Sequence, residues 1–182
     1  IQGRVFDGYI EGAIVCIDQN QNGRCDENEP RARSDANGAY QLAIPKGSTA
    51  PLVAEVLTGQ SREGGQSGAS VDVSYRMASP SAEYSTNITP FSTLVNLSAE
   101  TNYPLAEEMV RNLLGLPPKF IINIDSPAAP GSYTQAVAAS IVTALKATGA
   151  TLDLSAPGAL DKLAAALPRT LTDLPVFTIS TK

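Results

Sequence analysis

The chain contains no histidine and no tryptophan. Without histidine it lacks the usual general base near neutral pH and the commonest zinc ligand, so Ser-His-Asp and Cys-His catalytic arrangements within the chain are excluded. Aromatic residues make up only 5 %, which leaves a core built mainly from Val, Leu, Ile and Ala. No uninterrupted apolar run approaches the roughly 18 residues that a membrane-spanning helix needs. Basic clusters are missing too: Arg31 and Arg33 are the nearest thing to one, and the formal net charge is −5 with a pI of 4.7. Nucleic acid and anionic lipid surfaces both call for clustered positive charge, so neither is an expected partner. What is present suffices for a packed core. The 182 residues are 43 % hydrophobic and 17 % charged, enough for one ordinary domain or two small ones.

The two cysteines, Cys16 and Cys25, lie nine positions apart. The spacing is not C-x-x-C, and two thiols alone do not make a zinc site. In an exported protein an even count points to a disulfide. Closing a loop of about ten residues contributes on the order of 2.5–3 kcal/mol in the chain-entropy picture. The alternative is a pair of small buried hydrophobes. The chain starts at Ile1 without Met, which fits a processed or truncated product, and leaves room for a signal or lipid anchor upstream that has been cut away.

The hydrophobic pattern changes period near Pro90. Before it, Gly3 to Tyr9, Ala13 to Asp18, Ala39 to Ile44, Leu52 to Leu57, the alternating Val71, Val73 and Tyr75, and Tyr84 to Thr89 read as short strands. Asn37-Gly38 is a hairpin turn signal, and Asp35 is expected to shape that turn with its own side chain. The glycine-rich stretch 59–70 reads as a loop. After Pro90 the spacing is helical. Leu105, Met109 and Leu113, with Ala106 and Val110 beside them, predict a helix starting near Pro104 and stopping at Gly115. Thr134 to Thr148 carries Val137, Ile141 and Leu145 at four-residue steps. Ser155 is expected to cap a third helix with Leu160, Leu163, Ala164 and Leu167 as its stripe. Leu174 to Lys182 reads as a strand or a disordered end. The fold expected is α+β: a β-sandwich over 1–89, and a helical region with a C-terminal tail over 90–182, packed on the sandwich because it is too small to stand alone.

One segment carries a sharp motif. Asp18-Gln-Asn-Gln-Asn-Gly-Arg-Cys-Asp-Glu-Asn-Glu29 matches D-x-[DN]-x-[DN]-G-x5-E at every specified position. Asp18, Asn20 and Asn22 occupy positions one, three and five, and Gly23 takes the sharp turn at six. Arg24 offers its backbone carbonyl at seven, Asp26 acts at nine, and Glu29 supplies two oxygens at twelve. Calcium is a hard cation that takes six to eight oxygens, and alternate residues of a tight loop can aim that many inward. The competing reading is a solvated polar hairpin loop. The flanks differ from an EF-hand, which needs a helix on each side. Here β-branched residues precede the loop and Pro30 follows it, so a helix-opening sensor is disfavoured.

The run Gly12-Ala-Ile-Val-Cys16-Ile-Asp18 through Glu29-Pro30, followed by Ser34-Asp35-Ala-Asn37-Gly38-Ala-Tyr40, resembles the calcium-binding B-type repeat domains of bacterial surface adhesins. It is also similar to the wider Cna-B-like and carboxypeptidase-regulatory-like sandwiches. The resemblance covers about residues 3–45 well and extends more weakly to 89. It implies a prealbumin-like sandwich acting as a stalk or spacer, with Asp18, Asn20, Asn22, Asp26 and Glu29 as calcium ligands. Many relatives carry a Lys–Asn isopeptide bond, but Gly3 to Tyr9 holds no lysine, so that bond is not carried over. Ile88-Thr89-Pro90-Phe91-Ser92-Thr93-Leu94-Val95 resembles the junction that leads into helices in bacterial secreted lipoproteins.

These readings converge on a non-catalytic, calcium-stabilised module acting in structure or adhesion. Its expected location is secreted or at the cell surface, with an outer-membrane lipoprotein or a periplasmic protein as further options. Its expected partner is a protein or a glycan there. No hydrolytic activity is expected, since neither a carboxylate pair nor Thr143 with Lys146 has a catalytic signature. The rivals are a glycan- or protein-binding module, which a surface groove of Tyr75, Tyr84, Tyr103 and Tyr133 would support, and an accessory domain of a secreted enzyme. For the enzyme reading the spare carboxylates are Asp7, Glu11, Glu55, Asp72, Glu83, Glu107, Glu108 and Asp125.

Overall fold

A computed structural model describes residues 1–63, 68–149 and 152–167. The first half is antiparallel β structure and the second is helical, so the class is α+β. The largest sheet has four strands in the order β4 (Arg31–Arg33), β3 (Ile14–Ile17), β6 (Leu52–Val56) and β8 (Tyr75–Ser79). Two ribbons accompany it: β1 (Gln2–Arg4) with β5 (Ala39–Gln41), and β2 (Ile10–Glu11) with β7 (Arg62–Glu63). Val15, Cys16 and Ile17 of β3 are all fully buried. Burial of consecutive residues means that both faces of this central strand are covered, which is why it reads as a continuous apolar run. It pairs with β6 from Ile14↔Glu55 to Ile17↔Leu52.

The strand reading needs five corrections. β4 forms where no strand is expected, and β7 lies inside the stretch 59–70 that reads as a loop. Asn37-Gly38 makes its turn, with Asp35 Oδ1 accepting from the N–H groups of Asn37 (2.8 Å) and Ala39 (3.0 Å). Yet the turn joins β4 and β5, which lie in different sheets, so it closes no hairpin. Gly38 is needed there because a Cβ would run into the carbonyl oxygen of Val5. Tyr84 to Thr89 forms no strand. Ile88 makes only a single parallel bridge to Val5. Val73 is 43 % exposed, so the alternation around it does not carry through to the core.

Helix α1 (Pro90–Leu97) lies at the centre of the helical half, against β8, α2 (Tyr103–Leu114), α3 (Tyr133–Thr148) and α4 (Ala159–Ala166). Thr89 and Ser92 form a reciprocal capping box and Pro90 opens the first turn. Two hydroxyls then tie the helix to β8, an edge strand. Thr93 Oγ1 accepts from the Ala78 N–H at 3.0 Å, and Ser92 Oγ donates to the Ala78 carbonyl at 2.7 Å. Backbone groups that an edge strand leaves open are thereby satisfied inside the protein. One hydrophobic cluster runs from Val5 and Tyr40 through Val53 and Met77 to Phe91, Ile141 and Leu163.

In α2 the boundaries match the expectation, with Asn102 as N-cap and Gly115 left-handed at the end. The face does not. Ala106, Val110 and Leu114 are buried, while Leu105, Met109 and Leu113 are 45 %, 40 % and 40 % exposed. The two rows differ by one residue, a turn of about 100° around the helix. Periodicity alone does not say which of two adjacent apolar rows faces inward, and the row with the small Ala106 is the one that packs. In α3, Val137, Ile141 and Leu145 are buried as expected. Ser155 does not cap α4: it bonds Asp153 instead, and Gly158 stands at the N-cap. The expected tail, Leu174 to Lys182, lies outside the described residues.

The corrected α2 face is testable by denaturant unfolding. Leu114→Ala is expected to cost about 2–4 kcal/mol. Leu113→Ala is expected to cost below about 1 kcal/mol. Equal costs would return the buried face to the Leu113 row.

Candidate calcium loop and a lysine–carboxylate cluster

Strand β3 delivers Asp18 into the interior, where the residue is 1 % exposed. Its N–H donates to the Pro51 carbonyl at 2.9 Å, which continues the strand pairing by one step. Asp18 Oδ2 then accepts from the Gly23 N–H at 2.8 Å, and Oδ1 accepts from the Asn22 N–H at 3.1 Å. Eleven positions on, Glu29 is 6 % exposed and reaches back across the loop. Its Oε1 accepts from the Gln19 N–H at 2.8 Å and its Oε2 from the Asp26 N–H at 3.1 Å. The two ends of the loop are thus clasped by carboxylates that accept from its own backbone.

The middle of the loop closes on Asp26. The Nδ2 groups of Asn20 and Asn22 both donate to Asp26 Oδ2 at 2.7 Å. Cys16 and Cys25 form a disulfide, with their Cα atoms 5.5 Å apart, and this ties the loop's second half to β3. The Cys25 N–H also donates to Glu55 Oε1 at 3.1 Å, and Glu55 pairs with Arg76 at 3.3 Å. The carbonyl oxygen of Arg24 sits 3.7 Å from Cys16 Sγ, on the disulfide side of the loop.

Electrostatics single out this loop. Among the described residues no lysine or arginine forms an ion pair with Asp18, Asp26 or Glu29. Burial pushes the Asp18 carboxyl above the usual range and the Glu29 charge adds to that, while the N–H groups of Gly23, Asn22 and Gln21 pull the other way. As the side chains stand, no group of three His, Cys, Asp or Glu among the described residues is arranged to hold a metal. The donor set nonetheless suits calcium. The amide ends of Asn20 and Asn22 exchange Nδ2 for Oδ1 on a half-turn, and a hard cation takes carboxylate, amide and carbonyl oxygens together.

The loop is also wedged against the helical half. Gly23 has φ +76°, and a Cβ there would sit 3.2 Å from Leu154 Cβ and 3.4 Å from the Ser155 N–H nitrogen. Glycine at position six therefore serves the turn and the close approach of the segment before α4.

A second cluster carries no sequence signal. Lys146 Nζ lies 3.0 Å from Asp72 Oδ1 and 3.3 Å from Glu63 Oε1, and 5.5 Å from the centre of the Tyr75 ring. The Tyr75 hydroxyl donates weakly to Glu63 Oε1 at 3.5 Å. Asp7 belongs to this group. Burial foremost, then the Glu63 charge, pushes its carboxyl up to about 6, against the opposing pull of Lys146. These residues come from distant parts of the chain, so no spacing rule joins them. The four tyrosines do not share one groove: Tyr75 is buried, Tyr84 stacks on Tyr103 at 4.8 Å, and Tyr133 meets the edge of Phe120 at 6.1 Å.

The Asp7 environment predicts a pH effect. In the unfolded chain Asp7 titrates near 3.8 and in the folded chain near 6. Below about pH 3 both states are protonated and the full stability is present. As pH rises from there through 6 that stability is lost, because the folded state must ionise a partly buried carboxyl. Asp7→Asn, which imitates the protonated acid, should therefore exceed the wild type at pH 7.5 by on the order of 2 kcal/mol. The difference should vanish by about pH 3, as read from urea midpoints across pH. A difference that does not change with pH would contradict it.

With the geometry in view, no family model, no curated protein and no solved structure matches the chain.

Proposed function

We propose that the chain is a non-catalytic surface or secreted module that binds one calcium ion in the loop Asp18 to Glu29 and is stiffened by it. The observation that carries this reading is the burial of Asp18 and Glu29 with no basic partner among the described residues. Buried carboxylates without a counter-charge are costly, and a divalent cation offsets that cost while satisfying the remaining lone pairs. The ligands are Asp18, Asn20, Asn22, Asp26, Glu29 and the carbonyl of Arg24. Reaching the ion with that carbonyl requires it to turn from the disulfide side of the loop.

The four-stranded sheet and its two ribbons are compatible with a prealbumin-like sandwich over 1–89, followed by a helical region over 90–182. The disulfide favours an oxidising compartment, in keeping with a secreted, periplasmic or surface-anchored protein. No helix among the described residues is long and apolar enough to cross a membrane. Because Gly23 abuts Leu154 and Ser155, an ion that fixes the loop also fixes the seat of α4. The role that follows is a rigid joint between strands and helices in a structural or adhesive protein.

Calcium binding to the native state alone raises stability by mass action, by about 2.7 kcal/mol at a hundredfold excess over Kd. For a chain of this size the melting temperature of chelator-stripped protein should rise by about 5–10 °C in such calcium. Magnesium should act weakly because it demands a smaller octahedral shell. Asp18→Asn should abolish the calcium increment. An unchanged melting curve in millimolar calcium would remove the proposal.

A further inference from the structure

A groove of about 900 Å³ opens beside the loop. One wall is the loop itself, at Asp18, Gln21 and Gly23. A second is the end of α1 with the turn after it, Asn96 to Thr101. A third is the segment leading into α4, Leu154 to Asp161. Its base is apolar, with Val95, Leu97 and Leu154 buried beneath it and the exposed Met109 at its edge.

Three features of this groove bear on an occupant. First, among the described residues its lining includes three carboxylates, Asp18, Glu100 and Asp161, and no lysine or arginine. Second, the C-terminal turn of α1 ends in it, and that turn carries no basic residue. A helix C-terminus presents partial negative charge that favours a cation, while the Leu94, Val95 and Asn96 carbonyls already accept from Ser98 and Ala99. Third, Gln21 (φ 55°) and Ala99 (φ 55°), the two non-glycine residues with positive φ among those described, both line it. Such backbone is unfavourable and concentrates where a binding surface needs a particular shape.

We propose that this groove docks a polypeptide segment of a partner protein in which a lysine or arginine is flanked by apolar residues. The basic head meets Glu100, Asp161 and the end of α1, and the apolar flanks cover Val95, Leu97, Met109 and Leu154. A sugar is a poorer match. Among the described residues Tyr103 is the only aromatic one lining the groove, and its hydroxyl is already engaged with Ser81 at 2.8 Å, so these residues offer no open ring platform. If the loop holds calcium, the charge of Asp18 is committed to the ion. Glu100 and Asp161 then carry the selectivity, so the inference stands apart from the calcium reading.

The test is an array of acetylated hexapeptides with Lys at one inner position and apolar neighbours, printed beside the same set with Glu in place of Lys. The full chain is applied in millimolar calcium and again with chelator. Wild-type protein should retain Lys peptides over Glu peptides by about fivefold, the size of two solvent-facing ion pairs. The double variant Glu100→Gln, Asp161→Asn should lose that preference while its melting temperature stays unchanged. A preference seen in both conditions, or only with calcium, supports the groove, and the second result also ties it to the loop. Equal retention of Lys and Glu peptides in both conditions, or a preference that survives in the double variant, overturns the proposal. Either failure leaves the calcium melting shift as an independent result.

Discussion

Asp18 sits at the end of the central strand, out of water, with both carboxylate oxygens holding the turn that follows it. Desolvation of that group is the constraint around which the neighbourhood is arranged. Its N–H extends the pairing of β3 with β6 by one step to Pro51, its oxygens fix Asn22 and Gly23, and Gly23 in turn receives Leu154 and Ser155. Glu29 repeats the arrangement from the other end. The disulfide ties the loop's second half to the strand, independently of any ion. A loop restrained at both ends and stapled in between loses little conformational freedom on binding a cation, and that preorganisation favours affinity.

The same economy of contacts joins the two halves of the chain. Helix α1 is buried along most of its length, and one of its capping residues, Ser92, together with Thr93 also closes the edge of the sheet. Ser92 serves the cap of α1 and the Ala78 carbonyl together. A change there would disturb the helix start and the strand edge at once. The loop from Asp18 to Glu29 meets the segment before α4 through Leu154. The β half and the helical half are therefore joined by one shared hydrophobic cluster, by the hydroxyls of α1 at the sheet edge, by the Lys146 ion pairs and by the close approach of Leu154 to Gly23.

Much of this was legible in the sequence where local chemistry decides the outcome. The motif from Asp18 to Glu29, the cysteine pair, the turn shaped by Asp35, the stop at Gly115 and the apolar row of α3 each follow from residues within a few positions of one another. What was not legible depends on partners distant in the chain. The buried row of α2 is set by how closely Ala106 lets it approach its neighbours, and two adjacent rows give the same period. Ser155 is a good cap by type, yet Asp153 competes for it. The grouping of Asp7, Glu63, Asp72, Tyr75 and Lys146 exists only once strand, loop and helix have come together. The seat of Leu154 on Gly23 has no sequence signature beyond the glycine itself, which the motif already required for another reason.

The proposed calcium site from Asp18 to Glu29 is open to direct test. The most direct measurement is calorimetric titration of calcium into chelator-stripped, disulfide-intact full chain, alongside the Glu29→Gln variant. The account predicts saturation at one calcium per chain for the wild type and a large loss of affinity for the variant, because position twelve supplies two of the oxygens. Absence of binding at millimolar calcium, or binding that Glu29→Gln leaves unchanged, would contradict it.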